Sequence, residues 1–100
     1  MIYCFDLDGT LCTNTNGNYE SAEPFYDRIK VVNGLYENGD TILIDTARGS
    51  TTGINWYNFT ESQLLKWGVK FHTLRTGIKF NFDLLIDDKS VNDNFFFDKK

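Results

Sequence analysis

Two aspartates separated by a single residue follow the first apolar run of the chain and constrain what it can form. The run Ile2–Phe5 has no polar alternation, which is typical of a central strand buried on both faces of a parallel sheet. Asp6 and Asp8 come directly after it, and Gly9 permits a sharp backbone turn. Because ligands bind at the carboxyl ends of strands in such sheets, we expect a functional site here.

The same pattern is also typical of an Asx turn that closes a strand and of the start of a calcium-binding loop. The calcium loop requires further oxygen ligands and a nearby bidentate Glu, which residues 11–13 do not supply. The Asx turn remains an alternative from these residues alone.

Length and composition indicate one domain over residues 1–100 with a real core, since 41% of the residues are hydrophobic and 16% are aromatic. The net charge of −4 gives no general attraction for nucleic acid or anionic membranes. No apolar run approaches the roughly 20 residues of a membrane helix, and no signal peptide is recognised, so we expect a cytoplasmic protein. Cys4 is expected in the core, and Cys12 as a reduced thiol near the site.

The rest of the chain alternates between helical and extended patterns. Helices are predicted over residues 24–38 and 54–67, with a helical turn at 89–94, and further strands at 41–46, 71–74 and 80–88. Alternating strands and helices imply right-handed crossovers, which predicts a small doubly wound α/β domain with a parallel sheet and helices on both faces. Residues 13–23 form a loop, which is either a solvated connection or a flap that contacts a substrate.

The segment Asp6-Leu7-Asp8-Gly9-Thr10 resembles the first signature of the haloacid-dehalogenase-like hydrolase superfamily, which has a Rossmann-like fold. Three further signatures of that family have counterparts here in the same order, namely Thr46 at the second strand end, Lys79, and the pair Asp87 and Asp88. Relatives often have Gly-Lys-Pro around the lysine, whereas this chain has Ile-Lys-Phe. Two other cations, Lys70 and Arg75, therefore stay as alternatives to Lys79.

The resemblance implies a phosphomonoesterase that works through an aspartyl-phosphate. Asp6 would attack the phosphorus, which divides one difficult displacement into two easier ones. Asp8 would protonate the leaving oxygen and later accept a proton from the hydrolytic water. To act as an acid, Asp8 must first carry a proton.

The resemblance also implies Mg²⁺, which prefers oxygen ligands and bridges to phosphate. The expected metal ligands are Asp6, the backbone carbonyl of Asp8, and one or both of Asp87 and Asp88, of which the resemblance favours Asp88. The expected phosphate-binding groups are the Thr46 hydroxyl, the Ala47 amide and the Lys79 ammonium. Arg48 is a candidate for gripping a second anionic group of the substrate.

The intervals between the signatures are only long enough for a helix, its loops and at most a further strand, so the chain resembles a capless member of the superfamily. Among capless relatives it is most similar to phosphatases of capsule and other surface-polysaccharide synthesis, which implies a sugar phosphate or related metabolite as the substrate. The alternatives are a polynucleotide 3′-phosphatase and a noncatalytic phosphate- or Mg²⁺-binding module on the same fold. The Phe95–Phe97 tail would either cover an edge strand or contact a second copy of the chain.

Overall fold

The protein is an α/β domain built on a three-stranded parallel sheet, and the computed structural model describes residues 1–78 and 82–98. In chain order the elements are β1 (Ile2–Phe5), a 3-10 turn (Tyr19–Ser21), α1 (Tyr26–Glu37), β2 (Thr41–Thr46), α2 (Tyr57–Lys66), β3 (Thr73–Thr76) and α3 (Asp93–Asp98). The strand order is β1-β2-β3, and both pairings are parallel.

On each of the three strands every second residue points to one buried face of the sheet. Tyr3 and Phe5 lie in register with Ile42 and Ile44, and Ile44 is paired with Leu74. The two isoleucines are fully buried and share one core with apolar residues of α1 and α2. Because consecutive parallel strands are joined by right-handed crossovers in one direction, α1 and α2 cover the same face of the sheet.

The third helix covers the same face at its β1 side. Phe96 and Phe97 lie with their ring centroids 5.7 and 6.0 Å from that of Phe5, and Arg28 of α1 donates a 2.7 Å hydrogen bond to Asp93. Of the two roles predicted for the phenylalanine tail, the structure therefore places Phe96 and Phe97 as a cover over the first strand.

The opposite face of the sheet differs from the prediction. Cys4, which was expected in the core, is exposed, because even-numbered residues of β1 point away from the helices. Ile2 is exposed for the same reason. A second helical layer is not found in the described part of the chain. The structure therefore supports an α/β domain, but not the predicted helices on both faces of the sheet.

The predicted strand at 80–88 is wrong for the residues that are described. Residues 82–88 contain no strand and are exposed, and residues 80 and 81 lie outside the described ranges. The apolar run Leu84–Ile86 suggested a buried strand, yet no neighbouring strand pairs with it here. The sequence pattern indicates that such a run can form a strand, but it does not determine which strand, if any, pairs with it.

The remaining boundaries shift by a few residues. The third strand occupies Thr73–Thr76 instead of 71–74, and the last helix begins at Asp93. The first helix begins at Tyr26 because the backbone of Pro24 and Phe25 pairs instead with the turn after β1. Among the helices within the described ranges, none is long and apolar enough to cross a membrane.

Candidate active site

The ends of β1 and β2 meet at one edge of the sheet. Phe5, the last residue of β1, is in register with Ile44, and Thr46 ends β2 two residues later. Asp6 therefore leaves β1 beside the end of β2. This is the arrangement that parallel strands were expected to produce at their carboxyl ends.

A tight turn after β1 orients the two aspartates. Leu7 is fully buried, and its carbonyl oxygen accepts hydrogen bonds from the amides of Thr10, Leu11 and Cys12 at 3.0, 2.8 and 3.3 Å. Gly9 has a φ of +85°, which other residues rarely adopt, and its amide donates to the Cys12 carbonyl. The anchored leucine leaves the Asp6 side chain exposed at the sheet edge, where the Thr10 hydroxyl donates a 3.4 Å hydrogen bond to it.

Asp8 is held by a bidentate ion pair with Arg48. The Nε and Nη2 atoms of Arg48 donate to the two carboxylate oxygens of Asp8 at 2.9 and 2.8 Å. The Arg48 side chain has no exposed surface, whereas that of Asp8 is 18% exposed. This geometry matches the forked guanidinium to an ionised carboxylate and fixes the position of Asp8.

The substrate-binding role predicted for Arg48 is therefore corrected. Every nitrogen of its guanidinium group is already bound inside the protein, so the side chain cannot grip a substrate anion without leaving Asp8. The sequence indicated a cation after the second strand, but it did not show that this cation turns inward.

Polar residues of α2 complete the surroundings of Arg48. Its Nη1 atom donates to Thr60 Oγ1 at 3.2 Å and to Gln63 Oε1 at 2.7 Å. Gln63 also donates through Nε2 to the Tyr19 carbonyl at 2.8 Å, and the Tyr19 ring covers the guanidinium at 4.4 Å. Thr60 and Gln63 were missed by the sequence analysis, although the imperfect apolar pattern of α2 was the signal that polar groups point inward.

Cys12 lies against the same ion pair. Burial, followed by the neighbouring Asp8 carboxylate, raises the pKa of the Cys12 thiol from 9.0 to about 12. Its Sγ donates to Leu7 O at 3.7 Å and to Asp8 Oδ1 at 3.5 Å. The prediction of a reduced thiol near the site agrees with this position, and the thiol stays protonated at neutral pH.

Thr46 and Ala47 differ in solvent exposure. Thr46 is 1% exposed, and its hydroxyl oxygen accepts the Arg48 amide at 3.3 Å. Ala47 is exposed, and its carbonyl accepts bonds from Ser50 at 2.8 and 2.6 Å. Ala47 is thus the more accessible of the two residues.

Each of the two described cations that are alternatives to Lys79 is held in an ion pair. Lys79 lies outside the described ranges. Lys70 precedes β3 and pairs with Glu37 at the opposite end of the sheet. Arg75 binds both oxygens of Asp45, at 3.0 and 2.7 Å, and this hydrogen bonding raises the pKa of Arg75 above its ordinary value. Lys70 is therefore far from the site, whereas Arg75 lies beside the end of β2 and is paired with Asp45.

Asp87 and Asp88 are exposed in the irregular segment after residue 82. Within residues 1–78 and 82–98, no three or more His, Cys, Asp or Glu side chains lie close enough together to hold a metal ion. The predicted magnesium site therefore stays a prediction, because the described residues 82–88 form no strand that would carry the second pair of acids to β1.

No protein-family model matches the chain, and no curated protein does. Among solved structures, the crystal structure of an MCSG target from Vibrio cholerae matches with a TM-score of 0.83 and 25% sequence identity. The match covers 96% of this chain and 86% of that one. This similarity supports the α/β fold over nearly the whole chain and concerns the fold alone.

Proposed function

We propose that the protein is a Mg²⁺-dependent phosphomonoester hydrolase of the haloacid-dehalogenase-like type, which acts through an aspartyl-phosphate on Asp6. The observation that supports this most is the turn after β1. It leaves Asp6 exposed at the carboxyl edge of the sheet while Asp8, two residues later, is fixed beside it by Arg48. A nucleophile that must reach a substrate and a proton-transfer group that must be positioned need these two different environments.

The proposed reaction has two steps. An Asp6 oxygen attacks phosphorus, the ester bond breaks, and the leaving oxygen takes a proton from Asp8. Water then attacks the aspartyl-phosphate and gives its proton to Asp8, which releases phosphate and regenerates the Asp6 carboxylate. The ion pair with Arg48 holds the Asp8 carboxyl in one position for both proton transfers.

The magnesium part of the proposal requires a rearrangement of the chain after residue 82. Leu84, Leu85 and Ile86 are 75, 56 and 88% exposed, although together they form an apolar run. We propose that this run pairs with β1 as a fourth strand, which would bring Asp87 and Asp88 toward Asp6 and extend the sheet on its other side. When bound there, Mg²⁺ would neutralise charge on the phosphoryl oxygens.

Metal binding by these acids can be tested without activity. Saturating MgCl₂ should raise the thermal midpoint of the wild type, since a ligand that binds only the folded state stabilises it. The Asp6→Asn and Asp88→Asn variants should lose this increase, whereas Asp27→Asn, an exposed aspartate of α1, should keep it. An equal increase in all four proteins would contradict the proposed metal site.

Activity is tested by hydrolysis of a generic aryl phosphate with and without Mg²⁺. The wild type and Asp27→Asn should hydrolyse it, and Asp6→Asn should not. One observation favours the noncatalytic alternative, because the buried pair of Asp8 and Arg48 is also what a purely structural ion pair would show. Equal activity, or equal inactivity, of the wild type and Asp6→Asn would refute the role of Asp6 as nucleophile.

The substrate class is tested with initial rates on sugar phosphates and on a 3′-phosphorylated oligonucleotide. We propose a sugar phosphate or related metabolite because the net charge is −4, and a nucleic-acid site needs a concentration of positive charge. A clear preference for the oligonucleotide would overturn this choice.

A further inference from the structure

A cleft of about 200 Å³ lies between the loops that follow β1 and β2. Gly17 and Tyr19 come from the first loop, Ala47, Thr51 and Thr52 from the second, and Trp56 closes the side next to α2. Sites for drug-sized ligands usually measure roughly 300–1,000 Å³, so this cleft has room for one ring. We propose that it binds the uncharged sugar ring of a phosphorylated substrate, with Tyr19 and Trp56 as its specificity-determining residues; this rests on the proposed function.

The side chains that line the cleft favour an uncharged ring. None of its lining residues carries a charged side chain, so a second phosphate or a carboxylate would lose water without gaining a partner. The rings of Tyr19 and Trp56 meet edge to face at 4.9 Å and offer apolar surface. The hydroxyls of Thr51 and Thr52 can donate and accept hydrogen bonds. A sugar ring has both an apolar face and a set of hydroxyls, which matches this combination.

The position of the cleft identifies which part of the substrate it would hold. Ala47 lines the cleft and is also a predicted phosphate-binding residue. The group in the cleft would therefore be the ring attached directly to the phosphate. A nucleotide would fill the same space with its ribose, and its base would project beyond the cleft.

The cleft is closely packed at Gly49 and Tyr19. A Cβ atom added to Gly49, whose φ is +88°, would lie 2.1 Å from the Ile54 carbonyl oxygen and 3.2 Å from the Trp56 ring. The Tyr19 ring packs on the Arg48 guanidinium, and the Tyr19 carbonyl accepts a hydrogen bond from Gln63. A ring bound against Tyr19 would thus lie next to the residues that position Asp8.

The two tryptophans give a binding test that does not depend on turnover. The indole N–H signals of Trp56 and Trp67 are followed by NMR while glucose 1-phosphate, glycerol 3-phosphate or uridine 5′-monophosphate is added to the full chain. Trp67 is buried and lines a different cavity, beside α1, so it is the internal control. Glucose 1-phosphate should shift Trp56 and not Trp67, and glycerol 3-phosphate, which has no ring, should shift neither.

Three results would overturn the inference. They are an unshifted Trp56 at millimolar glucose 1-phosphate, an equal shift of both indoles, and a Trp56 shift with ring-free glycerol 3-phosphate as large as that with glucose 1-phosphate or uridine 5′-monophosphate. Hydrolysis without a Trp56 shift would refute the cleft and leave the proposed function standing. A selective Trp56 shift without hydrolysis of any substrate would refute the function and retain the cleft.

A kinetic test follows if the protein hydrolyses both small substrates. The Trp56→Leu variant should lower the ratio of kcat/KM for glucose 1-phosphate to that for glycerol 3-phosphate at least tenfold. A merely structural role of Trp56 would lower both values together and leave the ratio unchanged, which would contradict the assignment. If this variant does not fold, the wild-type NMR titration still decides.

Discussion

Replacing Arg48 by methionine should be among the most damaging substitutions in this domain. The change removes two hydrogen bonds to Asp8 and those to Thr60 and Gln63, and it leaves the Asp8 carboxylate without its counter-ion. Breaking a buried pair from one side costs roughly 3–5 kcal/mol. Because the Asp8 side chain is 18% exposed and can recover some hydration, we expect the lower end, about 3 kcal/mol.

Urea unfolding of the wild type and Arg48→Met measures this loss directly, and for a domain of this size it corresponds to a fall of about 12–24 °C in the thermal midpoint. Arg75→Met is the matched control, since Arg75 also makes a bidentate pair but its side chain is 59% exposed. It should lose less than half as much stability.

A double-mutant cycle with Asp8→Asn isolates the pair itself. We expect a coupling free energy of about 2 kcal/mol between positions 8 and 48, because the two residues contact each other directly. A loss below about 0.5 kcal/mol in Arg48→Met, or an absence of coupling, would refute the conclusion that a buried ion pair fixes Asp8.

Three further predictions concern two glycines and the two cysteines. Gly49→Ala should destabilise the protein by about 2 kcal/mol or more in urea unfolding, because the new Cβ meets the Ile54 carbonyl. Gly34→Ala in α1, where nothing lies within 4 Å of the new Cβ, should stabilise the protein by about 0.5–1 kcal/mol. Equal effects of the two substitutions would contradict the described loop. At pH 8 a thiol reagent should modify exposed Cys4 rapidly and Cys12 only on unfolding. Burial raises the Cys12 pKa from 9.0 to about 12, so the contribution of the protonated thiol to stability is complete below pH 9 and is lost as the pH rises toward 12. Cys12→Ala should therefore lose less unfolding free energy than the wild type over this pH range. Parallel plots of unfolding free energy against pH would contradict this.

The sequence predicted those parts of the fold that depend on local pattern. The alternation of apolar runs and helical periods located β1, β2, α1 and α2, because each of these elements buries one face against the next. It misplaced Cys4 and the strand at 80–88, because an apolar run does not say whether a second layer or a pairing strand is present to cover it.

The candidate site was predictable to a similar extent. The spacing of Asp6 and Asp8 around a buried leucine determines that both acids emerge at the strand end. The direction of Arg48 was not predictable, because its partners Thr60 and Gln63 lie in a helix whose orientation depends on the whole fold. Residues distant in sequence thus decide whether a cation faces the solvent or pairs with a carboxylate inside the protein.

The most direct test of the account is a search for phosphate covalently bound to Asp6 during turnover. The protein is mixed with Mg²⁺ and an aryl phosphate, quenched in acid within milliseconds, digested and analysed by mass spectrometry. The account predicts a phosphorylated peptide that contains Asp6, which is absent when Mg²⁺ is omitted and absent in Asp6→Asn. Hydrolysis at the wild-type rate by Asp6→Asn, or phosphate found on another residue, would contradict it.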